Sequence, residues 1–412
     1  MKVLYITGSC LNKNTSANMS HNGYVLGLLE NGVEVDIIMA NDSWGEIDNK
    51  LPKWRKATYY EYNSISFSDK LKKIFKRFFP REATNHNATI VNNESIKSPQ
   101  TKTTEKKILR SIIKNTFYHI FKPHPIYPLD WTWIQNASKF KCKKTYDLVI
   151  SNSSPAASHK LASILIEKKQ IKHKRWVQIW EDPWFHDLYG GHSDCIKQEE
   201  AILLQKGEEI YYVSPLTLHY QKIYYQEWAD KMHFIPLPFL KFEKGTFIED
   251  KAISFGYFGD YYSHTRNLKP FYDALCNTNY QGYIYGDSNL GLTSTQTIEV
   301  SERVTLDELE KIQHKTSVLV HLCNLQGGQI PGKIYHYSAT EKPILFILDG
   351  TSEEKEIIFR FFSKYNRYHF CDNDKESILI AMNDIYMNYN QYKGHVVDDF
   401  SPQKVISSIL TS

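Results

Sequence analysis

The sequence predicts an α/β protein built from two doubly wound domains, and three observations carry that prediction. Strand-like apolar runs alternate with helical patterns along the chain, the βαβα order that builds parallel sheets covered by helices on both faces. The runs fall into two sets of six. Between the sets lies Ile235-Pro236-Leu237-Pro238-Phe239, whose prolines neither donate to a sheet nor continue a helix, so it reads as an exit from one domain and a linker to the next.

The first set of strands is expected at residues 2–7, 33–39, 146–151, 175–180, 209–213 and 232–235. The second is expected at 252–258, 282–285, 297–301, 316–321, 343–347 and 367–371. This division predicts an N-terminal domain over 1–240, a C-terminal domain over 241–395, and a last segment, 396–412, whose helix at 402–410 returns to pack on the first domain. At 412 residues the chain is long enough for two cores. Fifty Lys+Arg against 46 Asp+Glu gives a charge of +4, and 42% hydrophobic with 23% charged residues is the balance of a globular protein. That argues against disorder and against a general nucleic-acid binder. Apolar runs such as Ile344-Leu345-Phe346-Ile347-Leu348 fall well short of the ~18–20 residues of a membrane-spanning helix. The opening residues read as a strand rather than a secretory leader, and Cys10, Cys142, Cys195, Cys276, Cys323 and Cys371 are scattered without a C-x-x-C pair. The expected compartment is the cytoplasm.

One insertion, about 66–125, interrupts the first domain. From Lys70 to Arg81 it carries six basic residues and no acid, with Leu71, Ile74, Phe75, Phe78 and Phe79 on one helical face. Such a helix suits an anionic membrane surface; packing of its apolar face on the domain is the other reading. A second amphipathic pattern at 108–121 reads better as a packed helix.

The strongest local signal runs from Gln329 through Pro331, Gly332, Lys333, His336 and Tyr337 to Lys342-Pro343-Ile344. A Pro-Gly turn starts a helix with a lysine in its first turn. A cation there is unfavourable for the helix itself, because the exposed N–H groups are already positive; an anion such as a phosphate over that end makes it reasonable. A solvated lysine is the plain alternative.

This segment resembles the "P-S-K-hydrophobic-aromatic-E-Y" element, followed by "G-K-P-hydrophobic", of nucleotide-sugar glycosyltransferases with the GT-B fold, particularly those similar to glycosyltransferase family 4. Residues 2–7 and 26–39, 146–151, 177–182, 208–214 and 234–238 resemble the family's first-domain landmarks in order. Residues 253–259 with Arg266, and 282–287, resemble its phosphate region and its "hydrophobic-x-G-x-G" strand. The resemblance implies two Rossmann-like domains facing a central cleft and a retaining hexosyl transfer. It places Lys333 and Arg266 on the donor diphosphate, Gly259 where backbone approaches it, and Gln329 to Gly332 above the sugar, with Gly286, His336 and Tyr337 also donor-binding. Fixed cations stabilise the charge that develops on a departing nucleoside diphosphate, with no metal required. Two positions depart from the family: Asp260 stands where an arginine is usual, and His336 where a glutamate commonly holds the ribose. A uridine diphosphate sugar is therefore the default donor, and a thymidine diphosphate sugar a second reading.

Ligands of open α/β sheets gather at the carboxyl ends of strands. Glu181 and Asp182 are accordingly candidates to position the acceptor hydroxyl or take its proton, His186 to bind sugar hydroxyls or phosphate, and Ser9 and Ser153 to line the acceptor side. A capping and turn cluster is the alternative for 181–187, since Asp-Pro starts turns. Asp372-Asn373-Asp374 spells D-x-D but precedes a helical run, where an N-cap is expected, so no metal site is assigned. No G-x-G-x-x-G follows a strand, which disfavours a nicotinamide enzyme. The expected activity is sugar transfer to a glycan or lipid-linked acceptor in surface-polysaccharide or glycolipid synthesis, with no cofactor beyond the nucleotide sugar, no nucleic-acid partner, and peripheral contact with the inner face of the cell membrane. A non-catalytic sugar-binding module and a nucleotide-sugar epimerase are the rivals.

Overall fold

The computed structural model describes residues 1–43, 45–49, 51–65, 124–188, 190, 192–240, 253–392 and 394–411. The two amphipathic patterns at 70–81 and 108–121 lie outside the described residues.

Two parallel sheets organise the chain. The first contains β1 (Lys2–Ile6), β2 (Glu34–Ala40), β3 (Ala57–Tyr62), β4 (Leu148–Asn152), β5 (Trp176–Trp180), β6 (Glu209–Tyr212) and β7 (Met232–Phe234) in the order 7-6-5-4-1-2-3. The second contains β8 (Ser254–Phe258), β9 (Gln281–Tyr285), β10 (Ile298–Ser301), β11 (Val318–Leu322), β12 (Ile344–Leu348) and β13 (Tyr368–Asp372) in the order 10-9-8-11-12-13. In each sheet the winding reverses beside the first strand, between β1 and β4 and between β8 and β11, the switch points where doubly wound sheets leave a crevice. The α-helices among the described residues are α1 (Ser16–Glu30), α2 (Trp131–Ala137), α3 (Ala157–Glu167), α4 (Asp194–Lys206), α5 (Pro215–Tyr224), α6 (Lys269–Cys276), α7 (Leu306–Lys315), α8 (Lys333–Tyr337), α9 (Ser352–Ser363), α10 (Lys375–Met387) and α11 (Pro402–Leu410).

One strand of these two sheets, β3, escapes the sequence reading. Its Ala-Thr-Tyr-Tyr-Glu-Tyr run sits at the sheet edge, half-buried or exposed throughout, so it lacks the apolar run of the central strands. Those central strands are buried on both faces. Val3 and Tyr5 of β1 face α1, while Leu4 and Ile6 face the layer containing α2 and α3.

The core beneath α1 continues into the second domain. Val3, Tyr5 and Ile150 belong to the same buried cluster as Phe258, Leu319 and Phe346, joined through Ile235, Leu237 and Phe239 of the crossover. The crossover is thus an interior strap between the two sheets. Phe239 donates its N–H to the Phe400 carbonyl, and Pro238 sits where a Cβ on Gly23 would come within 2.8 Å. After the second sheet the chain returns, and α11 lies along α1. Asn31 donates to the Gln403 carbonyl at 3.0 Å.

The α1–α11 contact depends on glycine: a Cβ at Gly27 would stand 2.1 Å from the Pro402 carbonyl oxygen. Backbone cannot yield as a side-chain tip can, so Gly27→Ala should destabilise the protein by about 1–3 kcal/mol. Denaturant unfolding checks this; a midpoint equal to that of the unsubstituted protein would contradict the packing.

Candidate functional site

A cleft of about 830 Å³ opens between the carboxyl ends of the two sheets. The first domain contributes Asn14, Thr15 and Ser16 at the start of α1, with Thr15 as its N-cap, accepting from the Asn18 N–H. The second contributes the end of β8, Arg266, Gly286, Arg303 and Lys333.

Lys333 is the first residue of the short helix α8, after Gly332 as N-cap. It is not a solvated lysine: its Nζ donates to the Phe258 carbonyl at the end of β8. Desolvation pushes the ammonium down to about 8; Asp260 opposes the shift, and Arg266 and Arg303 add to it. The chain here is tightly drawn. A Cβ on Gly286 would lie 1.9 Å from the Gly259 carbonyl, so Gly286 is required by the protein's own backbone. Around Gly259, by contrast, the nearest atoms to a Cβ would be the Tyr257 hydroxyl at 3.6 Å and Arg266 Nη1 at 3.8 Å. Gly259 therefore lines the cleft with bare backbone that packing does not demand.

Asp260, where the family resemblance expects an arginine, is the seat of one. Arg303 Nε donates to Asp260 Oδ1 at 2.8 Å, and its Nη2 to Oδ2. Burial pushes the Asp260 carboxyl up, but Arg303 and the Asp287 N–H outweigh it and hold it below the usual carboxylate range. Arg303 follows β10 in a stretch without a motif, and nothing in the sequence marks it. The same is true of His321 on β11. It lines the cleft while only 2% exposed, and its Nε2 has no hydrogen-bond partner among the described residues. Desolvation, aided by Arg266, pushes it to about 3, so it is neutral. His336 faces an adjoining cavity of about 250 Å³ that shares Lys333 and Tyr337 with the cleft. Burial and then Lys333 push His336 down to about 4.

The predicted acceptor-side residues are distributed differently. None of Ser9, Ser153, Glu181, Asp182 and His186 lines the cationic cleft. Ser9 Oγ donates to the Ser154 carbonyl at 2.9 Å. Ser153 is buried, its Oγ accepting the Glu181 N–H at 3.2 Å, so it shapes the loop from within. Desolvation and the neighbouring Asp182 push the Glu181 carboxyl well above its ordinary range. Asp182, beside Asp187 at the domain junction, is raised to about 6 by desolvation and Asp187, against the pull of Gln329, and ionises at neutrality.

Gln329 belongs to this junction and does not line the cleft. Its Nε2 donates to Asp182 and, at 3.3 Å, to Asp187, while its Oε1 accepts the Leu188 N–H at 3.0 Å. His186 lies in a third cavity, stacked on Tyr224 with ring centroids 3.7 Å apart. Behind the first switch point is a buried histidine that the sequence reading missed. His21 Nδ1 is 2.8 Å from the Tyr5 hydroxyl, which also accepts from Asn152 at 2.8 Å, and burial holds His21 neutral at about 4. Asp374 caps α10, accepting the Ser377 N–H at 2.9 Å, and Asp372 pairs with Lys355 at 2.8 Å.

No family model matches this chain, and no curated protein matches its sequence. Solved structures match its shape over its full length. The apo lipopolysaccharide outer core galactosyltransferase WaaB aligns with TM-score 0.53 at 13% identity, covering 100% of this chain and 98% of that one. Staphylococcus aureus TarM, in complex with fondaparinux, α-GlcNAc-glycerol and UDP, aligns with TM-score 0.58 at 9% identity, covering 100% and 99%. The fold is GT-B. An α-glucosyltransferase bound to UDP and a DNA 13-mer shares it, with TM-score 0.51 at 10% identity over 98% of this chain and 93% of that one. No helix among the described residues is long and apolar enough to cross a membrane.

The raised Asp182 carboxyl has a measurable consequence. Its ordinary value is 3.8 and its folded value about 6, so between these the folded state binds more protons and stability falls as pH rises. Below 3.8 both states are protonated and the effect vanishes. Asp182→Asn should therefore raise the unfolding temperature near neutrality and leave it unchanged below pH 3.8; an equal shift at both would contradict the assignment.

Proposed function

We infer that this protein is a glycosyltransferase that takes its sugar from a nucleoside diphosphate donor. The observation that carries this reading is the cluster of Lys333, Arg266 and Arg303 around bare backbone at Gly259, at the switch point of the second sheet. A diphosphate fits that cluster: the cations meet the charge that builds on the leaving oxygen, and in a partly desolvated cleft they act more strongly than in water. UDP bound to two GT-B proteins of similar shape supports a uridine donor. The adjoining cavity at neutral His336 would take the ribose, leaving uridine and thymidine to be separated by competition. On the first-domain side, Asp182 would orient the acceptor hydroxyl, with Glu181 beside it. The family resemblance supports a retaining, metal-independent course. Incubation with a panel of nucleotide sugars tests the class: nucleoside diphosphate release supports transfer, isomerisation would instead make it an epimerase, and neither binding nor turnover a sugar-binding module.

Loss of a charge-assisted contact costs about 1.5–3 kcal/mol, so Lys333→Ala and Arg266→Ala should each weaken UDP binding by roughly 10–100-fold. Calorimetry measures this, and unchanged affinity in both would remove the diphosphate from this cleft. Because Lys333 sits at about 8 in the free protein, an anion beside it raises that value, and binding above pH 8 should take up protons from the buffer. The uptake should disappear in Lys333→Ala.

The basic run from Lys70 to Arg81 supports a lipid-linked acceptor at an anionic membrane, since each such charge contributes ~1 kcal/mol at the surface. The protein should sediment with anionic but not neutral liposomes at low salt and lose this when Lys72, Lys73, Lys76 and Arg77 become Glu. Indifference to anionic liposomes would point to a soluble acceptor.

A further inference from the structure

The cavity that contains His186 has the makings of a second binding site. It encloses about 280 Å³ between α5 and the loop at Gly327 and Gly328. Gln221, on its wall, is 1% exposed, yet neither its Oε1 nor its Nε2 has a hydrogen-bond partner among the described residues. Buried amides are ordinarily satisfied, and one that is not invites a polar guest. Beside it stands an aromatic platform: His186 stacks on Tyr224, with 17° between the rings, and Tyr220 lies nearly parallel to Tyr224 at 6.0 Å.

An amide that both donates and accepts, next to flat aromatic faces, matches a pyranose ring, which offers paired hydroxyls at its edge and C–H groups on its face. Charge points to a neutral one. Among the described residues no Lys or Arg lines the cavity, Glu354 does, and burial shifts His186 toward its uncharged form. A phosphate would meet a carboxylate here and no Lys or Arg among the described residues, whereas Lys333, Arg266 and Arg303 line the other cleft. The glycines keep the space: a Cβ at Gly328 would come within 2.7 Å of the Tyr220 ring. Two wall residues, Pro183 and Gly328, are the chain neighbours of Asp182 and Gln329, whose side chains bond across the domain junction.

We propose that this cavity is a subsite for one neutral hexopyranose unit, held by the Gln221 amide and the His186–Tyr224–Tyr220 face beside Asp182. That the sugar belongs to the acceptor rests on the transferase reading; that the cavity binds sugar does not. The test is saturation-transfer NMR on the full chain with the methyl pyranosides of glucose, galactose, mannose and N-acetylglucosamine, without and with saturating UDP. Transfer to ring protons is expected for at least one glycoside, and it should persist with UDP bound. Gln221→Leu and Tyr224→Ala should each weaken it about tenfold or more while leaving UDP affinity unchanged. Tyr224 is 45% exposed, so its variant keeps the test sound should Gln221→Leu fail to fold. Silence from all four glycosides would overturn the subsite and leave water as the partner of Gln221; signals unchanged in both variants would also overturn it. UDP binding without glycoside binding removes the subsite and leaves the transferase reading intact. Glycoside binding without UDP binding does the opposite.

Discussion

The structure depends on one apolar seam. Tyr5 and Ile150 from the first sheet, Ile235, Leu237 and Phe239 from the crossover, and Phe258, Leu319 and Phe346 from the second sheet form a single buried cluster. Burial at roughly 25 cal/mol per Å² of apolar surface makes such a seam the dominant attraction between the domains. It holds the two sheets with their carboxyl ends toward a common gap. Polar groups excluded from the seam collect at that rim, and there the protein places its unusual chemistry.

Burial then sorts the rim into regions of different character. Around β8 it gathers lysine and arginine and leaves Lys333 less basic than a free lysine. At the end of β5 two adjacent carboxyl groups are both shifted upward, Glu181 well above its ordinary range and Asp182 to about 6. Beyond Gln329 burial leaves a pocket walled by an amide, aromatic rings and Glu354, with no Lys or Arg among the described residues. The three regions abut, and the Gln329–Asp182 bond stands between the last two.

The sheets were legible in the sequence because parallel strands are buried on both faces and read as unbroken apolar runs. The edge strand β3 was not, because its tyrosines and glutamate are half-exposed and carry no such run. In the cleft, Lys333 stood out through its Pro-Gly turn, a local pattern, and Arg266 only through the resemblance of the segment at 253–266 to the family's phosphate region. Arg303, His321 and Gln221 carry no local pattern. They matter only through what long-range folding brings beside them: Asp260 for the first, the cleft for the second, a cavity for the third. Glu181 shows the converse. Its position after a strand was legible, but the upward shift of its carboxyl follows from desolvation, which no spacing reveals.

The path of the chain bears on how the protein is made. Domains usually fold as units, the N-terminal one first as it leaves the ribosome. Here α1, in the first domain, is covered by α11, which is translated only after the whole second sheet. Until residues 402–410 emerge, one face of α1, including the cleft formed by Gly27, stays uncovered. Completion of the first domain is therefore tied to completion of the second, and a nascent chain stalled after β13 would present that apolar face to chaperones rather than to its own helix.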